Sequence, residues 1–179
     1  CGTINYGGQT YQTIIIGTQC WMAENLNIGV AISGVQNQTD NSTIEKYCYD
    51  DNASNCVTYG GLYQWDEMMQ YVTTEGVQGI CPTGWHIPTD AEWTTLTTYL
   101  GGDSVAGGKM KEAGTTHWSS PNTGATNSSG FTGLGGGYRW SGGFGYLSES
   151  AYFWSSTETS STHAWFWYLF YDYDDFGRW

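Results

Sequence analysis

A chain of 179 residues suits one domain, or one domain with a small extension, and is long enough to bury a core. Seventeen Asp and Glu against five Lys and Arg give a formal net charge of -12, which repels phosphate backbones and anionic lipid surfaces and makes nucleic acid a poor partner. Charged residues are only 12% of the chain while aromatics reach 17%, and no apolar run approaches the roughly 20 residues of a membrane span, so no membrane insertion is expected. Polarity here comes from hydroxyls and amides, a balance of exported bacterial surface proteins rather than cytosolic enzymes.

In chain order, Thr3 to Tyr6, a Gly7-Gly8 turn and Thr10 to Ile16 read as a hairpin, whose second arm carries the β-branched run TIIIGT. Residues 1–20 are read as a hairpin extension and 21–179 as the main domain. Residues 30–43, VAISGVQNQTDNST, have no period and read as a surface loop. Cys48 and Cys56 flank YDDNASN, a polar turn-forming loop that a disulfide would pin, and Cys1 and Cys20 form the next pair. A metal site competes poorly with the first pair, because the spacing is not CxxC and no His lies near. Cys81 is left over. A chain that begins at Cys1 reads as a processed or trimmed product.

A helix is expected over Leu62 to Tyr71, where Leu62, Trp65, Met68 or Met69, and Val72 form an apolar stripe. The strongest local signal follows in residues 81–100, CPTGWHIPTDAEWTTLTTYL: Thr89 as N-cap with Glu92 three residues on is a capping box, and Pro88 fixes the entry. The helix should run from Asp90 to Leu100, with Trp93, Leu96, Leu100 and Tyr99 on its apolar face and its threonines toward water, until Gly101 and Gly102 stop it. Residues 101–145 then hold fourteen glycines and read as a long binding loop stitched by small strands, or as a mobile segment. In the aromatic C-terminus, FWSST and AWFWYLFY read as strands joined by ETSSTH. Alternation puts Trp165, Trp167 and Leu169 on one face and Phe166, Tyr168 and Phe170 on the other, so one face should be core and the other a helix contact or a binding or assembly surface.

Five blocks, GTQCWMAENLN, YGGLYQW, CPTGWHIPTDAEWTTL, GFTGLGGGYR and YFWSSTE, resemble the Fibrobacter succinogenes major paralogous domain and occur in that family's order. The resemblance implies a secreted or surface protein of α+β class with a C-type lectin-like fold: two short helices packed on small antiparallel sheets with long Gly-rich loops. In that family a final strand with a motif like GFSVRC supplies a cysteine near the C-terminus. This chain stops at Trp179 before any such segment, so the last strand is expected to be absent, truncated or supplied by another subunit.

Catalytic patterns are weak. His86, His117 and His163 sit in separate segments without HxxxH or HExxH spacing, and the glycines of GLGGGYRWSGGFG lack the strand, helix and Lys of a phosphate loop. No turnover is expected. Asp172, Asp174 and Asp175 could ligate calcium, the one ion the sequence suggests, although a solvated acidic edge is the simpler reading. Asp50, Asp51, Asn52 and Asn55 are a second candidate whose simpler role is turn formation. Tyr138, Trp140, Phe144, Tyr146, Tyr152, Trp165, Trp167, Tyr171 and Tyr173 form the candidate ligand-binding set, because Tyr and Trp offer large contact area with few rotors and suit sugar stacking and protein recognition. The expected function is an extracellular or cell-surface binding or adhesion module for a protein or glycan. A structural subunit of a surface filament, binding copies of itself by strand addition, is the alternative.

Overall fold

The computed structural model describes all residues, Cys1–Trp179. Three strands open the chain: β1 (Thr3–Tyr6), β2 (Gln9–Ile16) and β3 (Gln19–Met22), in a meander of order β1-β2-β3. Gly7 and Gly8 turn the first hairpin with positive φ at both positions, the backbone a two-residue hairpin loop demands. The Cys1–Cys20 disulfide ties the chain start to β3, so a boundary between residues 20 and 21 falls inside that strand.

The stretch 30–43, read as loop, is anchored at both ends. β4 (Val30–Ala31) pairs in parallel with β5 (Glu45–Lys46), and the buried Gln38 amide donates to Glu45 O and accepts from Gln64 N–H. The Cys48–Cys56 disulfide forms, but YDDNASN is more than a turn: a 3-10 turn at Tyr49–Asp51 leads into α1 (Ala53–Tyr59), with the Asn52 side chain capping the Ser54 N–H. The helix expected over 62–71 contracts to α2 (Trp65–Met68), because Gln70 and Tyr71 take positive φ and the Tyr71 hydroxyl turns back to the buried Glu67 carboxylate. Met68 and Met69 are buried as the stripe requires, while Val72 is exposed.

The capping box forms as the sequence predicts, with Thr89 and Glu92 exchanging bonds at the start of α3 (Asp90–Tyr99). Trp93, Leu96 and Leu100 are buried, but Tyr99 faces solvent and Thr97 does not, its hydroxyl returning to Thr94 O. The Gly-rich segment is largely ordered. It holds α4 (Asp103–Met110), β6 (Gly136–Trp140) and most of β7 (Gly143–Leu147). Gly107 and Gly108 cost helix propensity, yet a Cβ at either would collide with the Asp175 or Gly124 carbonyl. Four α-helices, not two, therefore pack on the sheets.

β8 (Ser150–Ser160), β9 (His163–Phe170) and β10 (Gly177–Arg178) complete a five-stranded sheet of order β10-β9-β8-β6-β7, antiparallel except where β6 meets β8. The fold is mixed α+β with short helices and mainly antiparallel sheets. Ala151, Phe153, Trp167 and Leu169 point from β8 and β9 into the larger core, against Trp93, Leu96 and Leu100, Ala106 and Met110 of α4, and Ile16 and Trp21 of the meander. A second core gathers Ile28, Met68, Met69, Ile80, Cys81 and Ile87, with Trp154 packed against it from the opposite face of β8.

Candidate binding face

The register of the β8–β9 hairpin sets which rings share a face. Ser150 stands opposite Phe170, Tyr152 opposite Tyr168 and Trp154 opposite Phe166, while Ala151–Leu169 and Phe153–Trp167 pair on the core side. The outer rings pack in sequence. Tyr138 lies 5.2 Å from Tyr152, 5.7 Å from Tyr146 in a stack and 5.4 Å from Trp140, and Tyr152 continues the row to Phe166 at 5.7 Å. Tyr168 meets Phe170 at 5.2 Å, and Trp179 closes the far edge 5.6 Å from Phe166.

Glycine opposes several of these rings. Gly143 pairs with Trp140, Gly145 with Tyr138 and Gly177 with Tyr168, and a Cβ at Gly177 would occupy the Tyr168 ring. Gly177 thus leaves room for the Tyr168 ring, and Gly142 and Gly145 for the Trp140 ring. Trp154 is covered: its indole donates to Tyr63 O, and the Trp65 indole donates to Ser155 O, so the α2 segment closes that end. Beyond it the face is open, with Trp140 43%, Tyr146 53% and Trp179 72% exposed.

The polar atoms divide the same way with one exception, the buried Trp21 indole N–H, which has no partner. Tyr6, Tyr47, Tyr63 and Tyr71 donate their hydroxyls to partners inside the chain, and Tyr11 accepts from the Asn27 N–H. The Trp65, Trp93, Trp118, Trp154 and Trp167 indoles likewise donate internally. On the open face, the hydroxyls of Tyr138, Tyr146 and Tyr168 and the indoles of Trp140 and Trp179 have no internal partner and stay in reach of solvent. Burial pushes the Tyr152 hydroxyl above its usual pKa against an opposing Ser150 hydrogen bond, and the Tyr138, Tyr146 and Tyr168 phenols add to the rise.

Of the nine aromatic residues singled out from the sequence, Tyr138, Trp140, Tyr146 and Tyr152 share this face. Phe144 does not, because it pairs with Arg139 on the other side of the β6–β7 hairpin, 5.3 Å from Tyr49 and over Gly34. Trp165 is on the core side under the Arg178 guanidinium, 3.7 Å from its ring. Trp167 is 1% exposed and donates to the Asp90 carboxylate at 3.0 Å, so it is core, not ligand site. Tyr171 packs beside the larger core, and Tyr173 is exposed in the acidic turn. Phe166, Tyr168, Phe170 and Trp179 belong to the face but not to that set. For Phe166, Tyr168 and Phe170 the signal is the alternation in AWFWYLFY, which separates two faces without saying which one α3 covers; Trp179 lies beyond that run.

The acidic turn is built around a lysine. Lys111 is fully buried, and its Nζ donates to Thr123 O (2.8 Å), Phe170 O (2.9 Å) and Tyr173 O (2.6 Å). Three acceptors and no donor face that nitrogen, which fits an ammonium and not an amine. Burial pulls its pKa down to about 8, while Asp174, Asp172 and Asp175 pull it up. These carboxylates, the calcium candidates of the sequence, make no ion pair with that nitrogen and act on it through space. At the second candidate, Asn52 caps α1 and Asn55 donates to Tyr49 O, both local roles, while Asp51 accepts from the Gly34 N–H and the Ser33 hydroxyl and so ties the 30–43 segment to this turn.

His86 and His117 face Glu92 and Glu112, at 2.8 and 2.9 Å, and His163 opens β9 beside Thr162. Cys81 is buried and unpaired, and burial pushes its thiol up to about 12, an inert state at neutral pH.

The Fibrobacter succinogenes major domain family matches residues 14–177, from within β2 to β10. The chain belongs to that family. No curated protein and no solved structure matches it. No helix is long and apolar enough to cross a membrane.

Proposed function

We propose that this chain is an extracellular or cell-surface binding module of bacterial origin and C-type lectin-like architecture, recognising a protein or glycan through the open face of its five-stranded sheet. It binds without turnover. The observation that carries the reading is the row of outer rings whose hydroxyls and indole N–H groups have no partner within the chain, beside buried aromatics whose polar atoms, the Trp21 indole excepted, are bonded internally. Large exposed aromatic patches mark interaction surfaces, and Tyr and Trp with free polar atoms suit recognition. Two disulfides and family membership support the location outside the cytoplasm.

The alternative, an assembly subunit joined to copies of itself, draws on one feature: β7 lies at the sheet edge with β6 as its only neighbour. Light scattering across a dilution series separates the readings. A monomer at all concentrations that binds through Trp140 and Tyr146 supports the module, and concentration-dependent polymers supported by the β7 edge support the subunit.

A further inference from the structure

We infer that the open face takes an uncharged carbohydrate chain, an inference that rests on the binding reading above and narrows it from a protein or glycan to one ligand class. An anionic ligand needs a cation, and all five basic side chains are committed elsewhere. Lys46 donates to the Asn27 side chain at 2.6 Å, Lys109 to Leu100 O at 2.6 Å, and Lys111 to its three carbonyls. Arg139, although on β6, points away from the outer rings to Gly34 O and Gln36 O and lies over the Tyr47 ring. Arg178 turns to the core side, onto Asp90 and the Trp165 ring. With a net charge of -12 on top, sulfated, phosphorylated or uronate ligands meet repulsion with nothing to offset it.

A basic protein partner would call for carboxylates among the rings, and the face residues are Tyr, Trp, Phe, Gly and Ser150, with the one carboxylate of the hairpin pairs, Glu158, at its far end opposite Ala164. A purely apolar protein patch would desolvate the Tyr138, Tyr146 and Tyr168 hydroxyls without pairing them, a cost each buried polar group imposes. A second copy would bring together two chains of the same net charge. A neutral pyranose chain avoids all three penalties: its C–H faces stack on flat rings, and its dense hydroxyls pair with phenols and indole N–H groups at the ring rims.

Affinity electrophoresis of the intact chain tests this, in gels containing laminarin, galactomannan or xyloglucan as neutral probes, polygalacturonate or heparin as anionic probes, and poly-lysine as a cationic one. The expected result is retardation by at least one neutral polysaccharide, insensitive to added salt and about tenfold or more weaker in Trp140→Ala and Tyr146→Ala. Both residues are well exposed, so each variant is checked for an unchanged melting temperature. Retardation only by the charged probes, with the same dependence on Trp140 and Tyr146, overturns the ligand class and leaves the face as the binding site. Neutral retardation that survives both substitutions overturns the face itself. No retardation in any gel overturns the carbohydrate inference, and the binding reading then stands or falls on a protein ligand tested with the same two variants.

Discussion

The two faces of the β8–β9 hairpin are built from the same residue types and end in opposite states. On the core side, Phe153 and Trp167 pack on Trp93 and Phe176, and the one indole N–H among the strand residues of that pair is bonded to Asp90. On the outer side Tyr152, Phe166 and Tyr168 pack mainly on one another, and only the Trp154 end is covered. Aromatic content does not tell a core from a binding surface; what separates them is whether most polar atoms on the rings already have partners, the buried Trp21 indole being the exception in the core. Burying an indole or phenol without a partner costs free energy, as it does at Trp21, so the fold keeps the other unbonded ones where water or a ligand can reach.

Substitutions that cross this divide should differ by an order of magnitude in their effect on stability. Trp167→Ala removes a fully buried ring and the Asp90 bond, and denaturant unfolding should show a loss of about 3–5 kcal/mol. Lys111→Met, near it in size, leaves three buried carbonyls without their charged donor, a loss of about 3–5 kcal/mol. Adding calcium should not restore it, if the acidic turn is shaped for an ammonium.

A smaller effect separates the capping box from the rest. Burial would raise the Glu92 pKa, but hydrogen bonds from Thr89 and His86 outweigh it and hold the carboxyl below its usual value. The stability it contributes is therefore present above the unfolded-state pKa and is lost as pH falls through the lower folded-state value. The melting temperature should drop on acidification through this window, and Glu92→Gln should flatten that part of the curve. Smallest of all, Trp140→Ala and Tyr146→Ala should change stability by about 0.5 kcal/mol or less. A large loss from either would show that the outer rings are core, erasing the contrast between the faces.

Local chemistry made part of this legible in the sequence. The Thr89–Glu92 capping box, the Gly7-Gly8 hairpin and both disulfides depend on neighbours close in the chain, and each forms. α4 was hidden because Gly107 and Gly108 weaken its helical signal, and their reason is a close approach to residues 124 and 175. The segment 30–43 lacks periodicity because Gln38 holds it through bonds to residues 45, 47 and 64. Within the site, alternation sorted Phe166, Tyr168 and Phe170 from Trp165 and Trp167, but deciding which set is buried required α3 to be placed. Nothing local in the KMKE run around Lys111 announces the three carbonyls that enclose it.

The most direct test compares two tryptophans on opposite faces of this one sheet. Binding to the neutral polysaccharides should be lost in Trp140→Ala and retained in Trp165→Ala, whose ring lies under Arg178 on the core side. Equal loss in both variants, or loss only in Trp165→Ala, would contradict the assignment of the outer face as the ligand site.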